Sequence, residues 1–308
     1  MTTLFFYRSS DGLGAVTHVD GNGQLQQTDS EQGMTFGWDH IVATAGHLLF
    51  YRSTDGLGAV CHVDGAGKLQ QTQSMQGMTF DWDHVVAIGN HLVFYRSTDG
   101  LGAVCHIDGN GVLQQTQSMQ GMTFGWTHIV AVGNHLVFYR STDGLGAVCH
   151  IDGNGVLQQT QSMQGMTFGW THLIPAGNRL LFYRATDGLG AVCHIDGNGQ
   201  LAQTQSLQGM TFDWTHIPAV GGHLVFYRGT DGLGAVCHID GNGVLQQTQS
   251  MQGMTFDWTH LVPAGNHLVF YRATDGLGAV CHIDGNGQLA QTQSMQGMTF
   301  GWDHLVAA

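Results

Sequence analysis

The chain has 308 residues, 9 basic against 22 acidic, and a formal net charge of −13 with its 19 histidines neutral. That balance excludes nucleic acid and anionic membrane surfaces as natural partners, since both need a basic face. No apolar run approaches the roughly 18 residues needed to cross a bilayer, so membrane insertion is not expected.

Taken in order, the chain is one 44-residue unit written seven times without insertion. A unit this short cannot bury its own core, so the copies must pack on one another. We read 1–308 as a single domain. It opens on an apolar strand, Leu4-Phe5-Phe6-Tyr7-Arg8. The next full unit supplies four strands, at 38–43, 47–52, 59–64 and 69–74. The last strand is rich in glutamine and threonine and reads as a solvated edge. Asp20-Gly21-Asn22-Gly23 and its copies supply residues that tolerate positive φ, as tight hairpins require. The stretch 53–58 is a longer turn. No segment has helical periodicity.

Four antiparallel strands per unit, repeated seven times, predict an all-β, seven-bladed β-propeller, with a β-solenoid as the alternative. The chain starts on a second strand and ends on a spare first strand, 302–307, so pairing of the two termini is expected to complete the seventh blade. On that topology the 52–58 turn and the 76–82 crossover emerge at one end, and the short turns at the other.

Six cysteines, Cys61, Cys105, Cys149, Cys193, Cys237 and Cys281, fall at one position of the repeat, with Thr17 in the first copy. Equivalent points of neighbouring blades lie beyond the ~7 Å between Cα atoms that a disulfide tolerates, so buried free thiols are expected. These suit a reducing compartment. With no secretion signal visible, cytoplasmic residence or release without a signal peptide is expected. Metal binding is not expected. The histidine beside each cysteine points to the opposite strand face, and Asp20-Gly21-Asn22-Gly23-Gln24 lacks the later acidic ligands of a calcium loop.

The loop-rich end carries Trp, Arg, Asp, Gln and Thr in every unit, residues able to cover a sugar ring and bind its hydroxyls. One pocket is expected from Trp38, Arg52 and Asp55, with Gln32 and Thr35 from the crossover. Its copies are Trp82, Arg96, Asp99; Trp126, Arg140, Asp143; Trp170, Arg184, Asp187; Trp214, Arg228, Asp231; Trp258, Arg272, Asp275; and Trp302 with Arg8 and Asp11. Gly37-Trp38-Asp39-His40-Ile41-Val42-Ala43, Leu48-Leu49-Phe50-Tyr51-Arg52 and Asp55-Gly56 resemble tachylectin-type and bacterial seven-bladed fucose-binding-type propeller lectins. The resemblance implies sugar pockets between adjacent blades. The functional expectation is a multivalent carbohydrate-binding protein without catalysis or cofactor, its partners glycans, fucosylated or N-acetylated. The alternative is a protein-interaction propeller or an engineered symmetric scaffold without ligand. The copies differ at a few places: Gly37 becomes Asp81, Asp213 and Asp257, and Asp39 becomes threonine in four units.

Overall fold

A computed structural model describes residues 1–308. The strands assemble into seven four-stranded antiparallel sheets, each in sequential order, with no helix. The fold is a seven-bladed β-propeller of about 44 residues per blade.

The 40–75 blade contains His40–Thr44, His47–Arg52, Leu57–Val63 and Leu69–Met75. The second strand is buried throughout its centre, with Leu48, Leu49, Phe50 and Tyr51 at 1% exposure or less. Both of its faces meet neighbours, so it reads as a continuous apolar run rather than an alternating one. The fourth strand is largely exposed. The expected strand at 38–43 begins instead at His40, because Trp38 and Asp39 belong to the crossover. The third strand starts two residues earlier than expected, at Leu57, which pairs with Arg52.

Strands three and four of a blade pair across a bulge. In the 84–119 blade the register shifts between Val104 and Cys105, leaving Thr116 as the extra residue. The Thr116 hydroxyl lies 3.1 Å from Val104 O and 2.7 Å from Gly155 O of the next blade's hairpin. The bulge thus turns a ladder position into a tie between blades. Leu157 N–H adds a second tie, donating to Gln117 Oε1 at 2.8 Å.

Internal contacts define two compact units, 1–37 with 63–70 and 213–308, and 38–62 with 71–212. In the first, the chain's last strand, His304–Ala307, pairs antiparallel with Thr2–Arg8, Phe6 opposite Leu305. Both termini therefore build one blade, as the phase of the repeat predicts. In the second, the core repeats a cluster of Trp, Phe, Leu, Val and Cys between successive sheets. All six cysteines are free and buried.

Candidate functional site

Each crossover is stitched to the turn that precedes it in the chain. Met78 N–H donates to Gly56 O at 2.9 Å, Asp81 N–H to Ser53 O at 3.1 Å, and the Tyr51 hydroxyl to Thr79 O at 2.8 Å. Tyr51 is fully buried, so this bond satisfies the one polar atom of an otherwise apolar side chain. Its oxygen in turn accepts from Trp82 N–H at 3.4 Å. The loops therefore gather at one blade end on a rigid support.

The structure shows what the expected pocket residues do. Arg96 pairs bidentately with Asp99, Nε to Oδ1 at 3.0 Å and Nη2 to Oδ2 at 2.6 Å, while Nη1 donates to Phe80 O at 2.9 Å. Asp99 Oδ1 also accepts Leu101 N–H at 3.1 Å. The Arg96 guanidinium holds Asp99 below the usual carboxylate range. The same Arg–Asp ion pair recurs in all seven repeats. It locks the turn and ties it to a crossover carbonyl. The tryptophans are buried at 4–6% exposure and pack on phenylalanine, Trp82 against Phe94 with ring centres 5.7 Å apart. Arg8, Asp11 and Trp302 do come together, the Arg8 guanidinium 5.9 Å from the indole centre. Trp38, Arg52 and Asp55 lie in the second unit, and the exposed Gln32 and Thr35 in the first. The aromatic groups that face solvent are ones sequence spacing did not single out: Phe36, Phe80, Phe124, Phe168, Phe212, Phe256 and Phe300, each at least half exposed.

Where the copies differ, the chemistry differs. Asp39, Asp83 and Asp303 are exposed carboxylates directly before a first-strand histidine. Asp83 Oδ2 accepts the Ser97 hydroxyl at 2.6 Å and the Ser97 N–H, and Asp39 holds Ser53 in the same way. His84 Nε2 lies 3.2 Å from Trp126 O. A carbonyl only accepts, so Nε2 carries the proton and Nδ1 the lone pair. In the other class Thr127 Oγ1 sits 2.9 Å from His128 Nδ1 and 3.1 Å from Tyr139 O, so its one proton is shared between that lone pair and a carbonyl. Thr171, Thr215 and Thr259 repeat the contact. Burial pushes the His84 imidazole below its ordinary value, so it is neutral at pH 7. The serine hydroxyl is bound to the carboxylate and not to the imidazole, so there is no serine–histidine relay here.

Beside the tryptophans, between successive blades, are partly open cavities. One of about 180 Å³ is lined by Met119, Met122, Trp126, Phe138, Cys149 and Gln159, among others. Its counterparts at Trp82 and Trp258 measure about 190 and 290 Å³.

No family model and no curated protein matches the chain. Solved structures do. A Lactobacillus plantarum protein is 16% identical with a TM-score of 0.73, each chain fully covered. The periplasmic gluconolactonase of Pseudomonas aeruginosa is 17% identical, TM-score 0.71, with 99% of this chain and 98% of that one covered. A Bacteroides uniformis protein assigned as a 6-phosphogluconolactonase is 13% identical, TM-score 0.74, with 100% and 99% covered. At these identities the likeness establishes the fold.

Two expectations are corrected by these comparisons. Three of the structures that match end to end carry gluconolactonase names, one a periplasmic gluconolactonase and two assigned as 6-phosphogluconolactonases, and none of the three is a lectin. The reading as a multivalent sugar binder without catalysis is overturned, and its alternative, a platform or scaffold without ligand, gains no support. The expectation that the chain is not an enzyme falls with it. The physical reason for the error is that near-perfect repetition hides differences of one or two residues, such as Asp83 against Thr127, where chemistry is possible. The resemblance to tachylectin-type propellers carries the blade architecture only.

Proposed function

We propose that the chain is a hydrolase that opens the lactone ring of a sugar acid. The observation that carries this reading is its end-to-end likeness to propellers named as gluconolactonases. The local chemistry agrees. Lactone hydrolysis needs a base to take a proton from water as its oxygen attacks the carbonyl carbon. It then needs an acid to return that proton to the departing ring oxygen. A neutral imidazole does both in turn. His84, with Nε2 fixed on Trp126 O and Nδ1 carrying the lone pair, has the required protonation state. His40 and His304 follow Asp39 and Asp303 in the same manner.

The substrate expected is uncharged. The turn guanidiniums are already committed to aspartates, and the net charge of −13 opposes a phosphorylated sugar acid. The test is a pH-stat assay of freshly dissolved glucono-δ-lactone. Acid release faster than in buffer alone supports the reading. A rate equal to the spontaneous one, across unphosphorylated and phosphorylated lactones, rejects it.

A further inference from the structure

The cavities between blades are lined by sulfur-bearing residues that the proposed hydrolysis does not use. Met119 and Met122 stand three residues apart at the end of a fourth strand, and both line the cavity that Cys149 of the next blade closes. Met75, Met78 and Cys105 line a second cavity in the same way. In a third, Met254 and Cys281 are in the wall, with Met251 packed on the same cluster. A fourth cluster joins Met163 and Met166 to Cys193.

The methionine pairs are built in. Each folds over a glycine of its own blade, where no β-carbon fits. One at Gly102 would sit 2.5 Å from Met122 Sδ and 2.9 Å from Met119 Cε, and Gly58, Gly146 and Gly234 hold their pairs likewise. Only these four clusters contain the full set. In the sequence, Glu31 and Leu207 replace the first methionine of two other repeats, and Thr17 replaces one cysteine.

Two thioethers and a thiol in one sparsely polar cluster are the donor set of a soft monovalent cation. No group of three or more His, Cys, Asp or Glu gathers elsewhere, which leaves harder divalent ions without a comparable set. We propose that these four Met–Met–Cys clusters bind copper(I), one ion per cluster. On binding, the cysteine S–H bond breaks, its electron pair forms the Cu–S bond, and one proton leaves to solvent per ion. Copper stays monovalent throughout, so no oxidant or reductant is consumed. Burial pushes the Cys149 thiol up to about 12, and Cys105, Cys193 and Cys281 match it. A cysteine thiol keeps its proton at neutral pH, so proton release is a direct readout of copper binding.

The test titrates the reduced full-length chain anaerobically with copper(I) against the chelator bicinchoninate. Four ions withheld from the chelator per chain, with four protons released, is the expected result. Met122→Leu keeps the side-chain volume and removes one thioether, so it should lower the count to three. Met78→Leu, in a different blade, should do the same and serves if the first variant folds poorly. Six ions per chain, one for each cysteine whatever its methionines, would overturn the assignment. So would no retained copper, or a count unchanged by both leucine variants.

Discussion

The Ser97 hydroxyl donates to Asp83 Oδ2 over 2.6 Å, and the Ser97 N–H shares the same oxygen. This clasp occupies the carboxylate, so the residue before His84 closes the turn while no threonine hydroxyl sits on the imidazole. In the four threonine copies one hydroxyl serves the turn and the imidazole together, as Thr127 does for Ser141 N–H and His128. Converting Asp39, Asp83 and Asp303 together to threonine should keep the fold, since Thr127 makes the equivalent turn bond. It should cut lactone hydrolysis about tenfold or more by engaging the imidazole lone pair. Initial rates beside a melting curve check this. Unchanged rates count against the imidazoles as bases.

The turn at Gly56 shows where the repeat tolerates no side chain. Its φ is +65°, and a β-carbon would sit 2.0 Å from Met78 O. Gly56→Ala should destabilise by about 3 kcal/mol, combining backbone strain with displacement of the crossover. Gly33 has a similar φ of +72° but open space around it, so Gly33→Ala should cost only about 1 kcal/mol. Paired urea melts separate the two, and equal losses would refute the steric account.

Histidine burial sets the pH limit on the acid side of neutrality. His84, His128, His216 and His260 are held below the ordinary 6.5 mainly by burial. His91, His135 and His267 are too, each with a second histidine across the strand pair adding to the effect. A base whose folded pKa is depressed binds fewer protons folded than unfolded, so stability rises with pH across the interval. The melting temperature should therefore fall as pH drops below about 6.5, levelling once the folded groups also protonate. A flat profile from pH 7.5 to 5 would contradict this.

The Arg–Asp pairs act at lower pH. Their guanidiniums lower the carboxylates of Asp55, Asp99 and Asp143, so the pairs stabilise fully above the unfolded value of 3.8. That contribution is lost as pH falls through the depressed folded values. Replacing several of these aspartates by asparagine should flatten the acid limb below about pH 4 and lower stability at pH 7 by the same modest amount. A steep loss at neutral pH would assign the pairs a larger structural role.

The blades were legible because the repeat fixes both strand period and turn position. Trp38 to Ser74 is enough to place four strands, and the offset between Leu4 and Trp302 foretells the shared terminal blade. What spacing hides is which partner consumes a polar group. Arg-Ser-Thr-Asp is equally compatible with a ligand pocket and with an Arg52–Asp55 ion pair, and the tryptophan spacing with binding or with packing between blades; what spacing does not show is that Phe80 is left outside. The bulge at Thr116 is equally silent, since it depends on reaching Gly155 in another blade. The sulfur clusters escaped notice because Met122 and Cys149 meet only when two repeats pack.

The most direct test of catalysis compares two triple variants at pH 7 with glucono-δ-lactone. His40, His84 and His304 all changed to Gln should lower the enzymatic rate about 100-fold. The control, with His128, His172 and His216 changed to Gln, should stay within about twofold of the parent, because those lone pairs are proposed to be engaged already. Equal rates in both variants, or no turnover above the spontaneous rate in the parent, would contradict the account.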